Sequence, residues 1–271
     1  MFIPIGDTCP RYRRPYVTFA LIALNVLVYI FTCRLNAFEE GRFLNAFASF
    51  PDEYNPLRSV TAGFVHADIF HILGNMWFLF LFGSSVEGKL GHRWMAATYG
   101  ACLLLADFAQ CFFGPGGHIP TIGASGAVGG IMGAYWFLFS RCEVEFFYWF
   151  YFYAGRVMLG VHWAIAWLFG WDLILWIVER KSGEMTGIAH SAHLGGLVSG
   201  LACGLLIRRY SHVVLDGDDM YTRFMVWKIK VNAAAETAAA PKLTPKPIEK
   251  YVPPPLPFPD ETDPPKITLD P

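Results

Sequence analysis

Ser125 stands near the start of an apolar, glycine-rich run, TIGASGAVGGIMGAYWFLF (121–139). A serine hydroxyl becomes a competent nucleophile when an adjacent base takes its proton, and neutral imidazole is the usual base. An imidazole of that kind is offered by AHSAHLGGLVSGLACG (189–204), in which His193 precedes a second set of glycines. Counting in fours from Ser125 gives Gly129 and Gly133, and the run below His193 gives Gly196, Gly200 and Gly204. Two small-residue faces let helix backbones approach closely in lipid, which would bring the base to the serine at one end. A third run, HADIFHILGN (66–75), places His71 and Asn75 four apart and so on one helical face. A tetrahedral intermediate concentrates charge on one oxygen, and imidazole and carboxamide N–H groups can meet it. The backbone N–H of Ser125, free in a first helical turn, is a further donor.

Each feature also has an ordinary reading. A membrane serine commonly bonds back to its own helix, and Gly-x-x-x-Gly faces commonly serve packing alone. His71 and Asn75 could simply bond across helices. His190, three residues before His193, reads as an interfacial polar residue nearer the surface. It is the coincidence of these groups in one layer that points to chemistry.

The elements that must position them follow from composition. The chain has 271 residues, 54% hydrophobic, 17% aromatic and only 16% charged. Soluble domains carry about a quarter charged residues, so a polytopic membrane protein is indicated. A net charge of −1 offers no concentrated basic surface for nucleic acid. Spans of about 20 apolar residues are read at 16–33, 66–83, 93–112, 121–140, about 161–178 and about 187–207. The aromatic stretch 145–155 reads as a buried or interfacial piece. Residues 221–231 read as a membrane-surface or short solvated element, and the Pro/Ala-rich sequence from 233 onward as a disordered cytoplasmic tail.

Arg11, Arg13, Arg14, Lys89, Arg93, Arg141, Arg208 and Arg209 fall on one side if both termini are cytoplasmic; Arg180 and Lys181 dissent. Spans two, four and six then run in the same direction. The first turns of those spans hold His66, His71, Asn75, Ser125, His190 and His193, and a group four to seven residues into a helix lies roughly 6–10 Å deep. Polar groups at such depth face the bundle interior and mark function. The cysteines (9, 33, 102, 111, 142 and 203) lack CxxC spacing and read as buried free thiols. The N-terminal segment shows no small-residue cleavage site, so no removable signal peptide is read, and its shortness without a transit-type presequence suggests a bacterial plasma membrane.

The sequence resembles the rhomboid family of intramembrane serine proteases. HADIFHILGN has the family's H-x-x-x-x-H-x-x-x-N pattern, GASG (123–126) its nucleophile motif, and AHLGGLVSG (192–200) its A-H-x-x-G-x-x-x-G pattern. The resemblance, over residues 10 to 210, implies an all-α bundle of six transmembrane helices. It implies Ser125 as nucleophile, His193 as base, and His71 and Asn75 as oxyanion side chains. His66 takes the place of a structural histidine, Arg58 that of an outer-loop arginine, and Glu87 that of the acid ending helix two. Gly129, Gly196 and Gly200 take packing positions. Gly129 stands where the family often has an aromatic that stacks on the base, so an aromatic from elsewhere would have to hold His193. The family uses a Ser–His dyad, and no acidic residue is evidently placed to orient His193. Asp68 and Asp107 are acids in apolar regions that fall on no family catalytic position.

The domain plan expected is a cytoplasmic segment 1–15, a six-helix domain 16–210 and the tail 211–271. The activity implied is cleavage of transmembrane segments of other proteins near the outer face, with no cofactor and no metal, and with lipid and transmembrane substrates as partners. Two alternatives stand beside it. One is a non-catalytic rhomboid-like protein that binds membrane helices. The other is a metal or proton transporter built on His66, His71, His190 and His193, which would lack a carboxylate or thiol in the same layer to complete a zinc site. The H-E-x-x-H motif of zinc proteases is absent.

Overall fold

The computed structural model describes residues 1–114, 116–183, 186–210 and 219–239. The chain divides into two units, Met1–Ile229 and Lys230–Pro271, and the first is mostly helical. Helix α1 (Tyr16–Thr32) leads into two short helices, α2 (Ala37–Phe47) and α3 (Pro56–Ala62). Helix α4 (Ile69–Phe78) continues through a π-helical turn (Leu79–Gly83) into α5 (Ser84–Leu90), making one apolar span of 22 residues. Then come α6 (His92–Phe113), α7 (Ser125–Leu138), α8 (Val161–Ser182) and α9 (His190–Tyr210).

Four of these rods are long and apolar enough to cross a membrane: Ile69–Leu90, α6, α8 and α9. Helix α1 has 17 residues and α7 only 14. The six spans expected are therefore not all reached on length. The shortfall of α7 has a cause. The helix starts at Ser125 rather than 121, because Gly123 adopts φ +116° and Thr121 pairs with Ser49 as an isolated β-bridge. At 1.5 Å per residue α7 is only about 21 Å long. It tolerates this as the central helix, with twelve of its residues buried, from Gly126 to Leu138.

A three-stranded antiparallel sheet supplements the helices. Strand β1 (Phe2–Asp7) pairs with β2 (Glu143–Phe150), which pairs with β3 (Tyr153–Gly160) through a tight hairpin. The stretch 145–155, expected as a buried or interfacial piece, is thus most of this hairpin, with the aromatics of its tip exposed. The β1–β2 register brings the Cα atoms of Cys9 and Cys142 to 5.5 Å, and the two form a disulfide. That corrects the expectation of free thiols for this pair; Cys33, Cys102, Cys111 and Cys203 are free. A separation of 133 residues left the pairing unreadable from spacing.

Residues 221–231 fall inside a longer helix, α10 (Met220–Ala239). Its last turns, NAAAETAA, are largely helix formers by propensity, which departs from the expectation of disorder for residues 233–239. The remainder of the expected tail, from 240, and residues 211–218 lie outside the described residues.

The core is the α7–α9 contact. A Cβ added at Gly196 would overlap the carbonyl of Gly126, and one at Gly200 the carbonyl of Gly130. Backbone thus lies directly on backbone, as small-residue faces permit in lipid. The face on α7 is Gly126, Gly130 and Gly133: the first two lie one residue on from Ser125 and Gly129, and Gly133 is common to both counts. Gly129 lies beside it, against the His193 carbonyl and the ring of Phe169.

Candidate active site

Ser125 is the first residue of α7. The N–H groups of that turn have no intrahelical acceptors, and the helix dipole places partial positive charge beside the hydroxyl. The approach to it is held open by Gly123, whose N–H donates to the Ala62 carbonyl at 2.9 Å. A Cβ on Gly123 would lie 2.7 Å from His71 Nε2 and 3.7 Å from Ser125 Oγ. Any side chain there would wedge itself between the imidazole and the serine.

Helix α4 supplies His71 and Asn75. Asp68 caps this helix by accepting the N–H groups of Phe70 and His71 at 2.8 and 2.9 Å, and these bonds hold its carboxyl below the usual range. Asn75 Nδ2 donates to the His71 carbonyl at 3.0 Å, one turn back. A cavity of about 220 Å³ opens between α4, α7, α8 and α9, and its walls include Asn75, Ser125, Phe169, Asp172 and His193. Ser125 and His193 share this space with no hydrogen bond between them among the described residues. That is a looser approach than proton transfer requires. Phe169 fills the room beside Gly129, so an aromatic from α8 does stand where the family's own aromatic is missing.

His193 Nδ1 lies 3.1 Å from Asp172 Oδ1, on α8. The same carboxylate oxygen lies 2.6 Å from His190 Nδ1. Two expectations are corrected by this geometry. An acidic residue does face His193, and His190 is not interfacial but 2% exposed. Beyond His190 the bonding continues: Nε2 is 3.0 Å from Thr186 Oγ1, and Thr186 donates its hydroxyl and its N–H to Glu179 Oε1 at 2.6 and 2.8 Å.

Residues 54–210 match the family model described as the rhomboid domain. This chain belongs to the rhomboid family. It is 30% identical over 201 residues to the RHOMBOID-like protein 12, mitochondrial, of Arabidopsis thaliana, covering 66% of this chain and 55% of that one. It is 28% identical over 145 residues to the mouse presenilin-associated rhomboid-like protein, mitochondrial, covering 51% of this chain and 34% of that one. Rhomboid protein 1, mitochondrial, of Saccharomyces cerevisiae is 23% identical over 199 residues, covering 71% and 54%. The chain thus spans between a third and about half the length of these relatives.

The remaining sequence-derived positions of this rhomboid serve as supports. His66 packs edge-on against His71 with ring centroids 5.1 Å apart, and its Nε2 lies 3.5 Å from the Ala124 nitrogen. Arg58 lies over the Phe50 ring at 5.4 Å, and Phe50 stacks on His118. Glu87 accepts the N–H groups of Val17 and Thr18 and the Thr18 hydroxyl, which anchors the start of α1 at the end away from the site. Asp107 accepts the hydroxyls of Ser49 and Ser59 at 2.8 and 2.6 Å, and so ties the loop before α3 to α6.

Asp172, Thr186 and Glu179 were missed in the sequence, although Asp172 interrupts an apolar span and an acid there is a functional signal in itself. Asp172, His190 and His193 are also the group among the described residues that could hold a metal ion, with ligand atoms all within 4.8 Å. A carboxylate therefore does sit in the histidine layer, contrary to expectation.

Proposed function

We propose that this rhomboid is an intramembrane serine endopeptidase acting on transmembrane segments of other proteins. The observation that carries the reading is the shared cavity: Ser125, His193 and Asn75 line one space inside the helical bundle. In the proposed reaction Ser125 Oγ attacks the scissile carbonyl carbon while His193 Nε2 takes the hydroxyl proton. The oxygen of the tetrahedral intermediate is met by His71, Asn75 and the first-turn N–H groups of α7. His193 then returns the proton to the leaving amine, the C–N bond breaks and an acyl-enzyme remains. Water, deprotonated by the same imidazole, hydrolyses it and restores Ser125. The family resemblance supports single-pass substrates that unwind locally at a small residue before the scissile bond.

The membrane is the location the span lengths support. The relatives named above are mitochondrial by name, which conflicts with the expectation of a bacterial plasma membrane.

A metal-handling reading is favoured by one observation, the Asp172–His190–His193 grouping. The deciding experiment is reaction of the purified protein with a fluorophosphonate probe, mass spectrometry of the adduct, and metal analysis of the same sample. Labelling of Ser125, absent in Ser125→Ala, supports the protease. Unlabelled protein carrying stoichiometric metal would replace it with the second reading.

A further inference from the structure

We propose that Asp172 is a positioning residue for His193, and that His190, fixed by Thr186 and Glu179, holds Asp172 in place. This rests on the protease reading. It extends the expected dyad by an orienting carboxylate and by a second histidine that never touches substrate.

The donor and acceptor inventory gives the roles. A carboxylate only accepts, so a hydrogen bond from His193 Nδ1 to Asp172 Oδ1, at 3.1 Å, fixes the proton on Nδ1 and leaves the lone pair on Nε2. That is the tautomer a base for Ser125 needs. An imidazole on a helix could otherwise turn over or shift its proton, and each such state would be unproductive. Asp172 can do this only if it is itself held still. Its Oδ1 is shared with His190 Nδ1 at the shorter distance of 2.6 Å. His190 is held in turn by its other nitrogen. Thr186 has one hydroxyl proton, and its 2.6 Å contact with Glu179 Oε1 commits that proton to Glu179. The Thr186 oxygen is then left to accept from His190 Nε2 at 3.0 Å.

Burial supports the assignment of the fixed end. His190 and Glu179 are 2% and 3% exposed, whereas the side chains of Asp172 and His193 are 19% and 21% exposed and line the cavity. The bonding therefore runs from an enclosed, two-sided anchor to the one imidazole that must meet the substrate. Charged-group hydrogen bonds in a dry setting are stronger than in water, so the anchor is stiff.

The test uses the full chain in detergent with a model transmembrane substrate and ¹⁵N-histidine NMR. Asp172→Asn presents an amide of the same shape without the charge. We expect kcat to fall about 10²- to 10⁴-fold with KM within about 2-fold, as for loss of an orienting carboxylate. The His193 signals should shift from protonated Nδ1 toward protonated Nε2, a change that a purely structural role would not produce. Asp172→Glu should recover part of the kcat. His190→Asn, which keeps a donor near the Nδ1 position, should stay within about 5-fold of wild type, whereas His190→Leu should lose about 10-fold or more in kcat alone.

Wild-type kcat in Asp172→Asn, or an unchanged His193 tautomer, would overturn the proposal. Should Asp172→Asn fail to fold, Thr186→Val carries the test. A kcat lowered several-fold at constant KM supports the chain of bonds, and an unchanged kcat overturns it. Failure of the protease reading looks different: wild type itself would neither cleave nor label, while the tautomer shift in Asp172→Asn would still be seen.

Discussion

The two flanks of Ser125 follow opposite rules. On the α8–α9 side the polar atoms are tied to one another: His193 to Asp172, Asp172 to His190, His190 to Thr186 and Thr186 to Glu179. On the α4 side capacity is kept in reserve. Among the described residues Asn75 gives one of its two N–H bonds to its own helix and keeps the other. His71 has the Ala67 N–H facing Nδ1 at 3.5 Å, which leaves a proton for the Nε2 that borders Gly123 and Ser125. A group that must preserve one tautomer gains from having its partner in place beforehand. A group that must meet a charge existing only in the transition state gains from a donor with no prior commitment.

The largest effects should come from the tied flank. His193→Ala removes the proposed base, and we expect loss of about 10⁴-fold or more in kcat/KM together with loss of fluorophosphonate labelling at Ser125. The reserve flank should be milder. Asn75→Ala and His71→Ala should each cost about 10²- to 10³-fold, because other donors remain, and both should still label. If Asn75→Ala were as inert to the probe as His193→Ala, the contrast between the flanks would break.

A smaller effect concerns the packing that brings the flanks together. Gly200→Ala would place a Cβ against the carbonyl of Gly130, where the obstacle is backbone and cannot swing aside. We expect a stability loss of about 1–3 kcal/mol, as for overpacking, with activity falling alongside it. Gly170→Ala is the control: among the described residues no atom beyond its own stretch of helix lies within 4 Å of the added Cβ, and α8 should be unaffected or slightly stabilised. Thermal melting in detergent reads both. Equal melting temperatures would show that the α7–α9 contact is softer than the geometry implies.

How far the sequence showed this arrangement depended on whether a residue's signal was local. Ser125, His71, Asn75 and His193 sit in short motifs whose spacing expresses a helix face, and the structure draws Ser125, Asn75 and His193 to one cavity. Four of the six expected spans were legible through long apolar runs, whereas the short α1 and α7 were not predicted as such. The partners of His193 were not, because Asp172 lies 21 residues away on another helix and only helix packing relates the two. His190 was misread as surface because depth was counted along α9 alone. Nothing within α9 reports that α8 and the Thr186 turn cover its outer face. The sheet and the Cys9–Cys142 pairing join the first ten residues to residues beyond 140. No periodicity in either segment encodes that register.

The smallest predicted effect tests whether the α4 flank really withholds its imidazoles from charge. His66 lies ahead of α4 and is 4% exposed. Its pKa is pushed down to about 4, chiefly by burial and secondarily by His71, with a backbone contact from Phe64 opposing. The unfolded chain therefore binds a proton at His66 more readily than the folded one between about pH 6.5 and 4. Stability from this group is full above that window and is lost as pH falls through it. Between pH 7.5 and 5.5 the loss should be about 1 kcal/mol. His66→Gln removes the titration while keeping a polar side chain of similar reach. Whatever its melting temperature at neutral pH, that temperature should fall less than that of wild type over the same interval. A constant offset between the two proteins drops out of this comparison of pH slopes. Parallel curves for the two would mean that folded His66 takes up its proton as easily as the unfolded chain does, and the reserve flank would then admit charge before any substrate arrives.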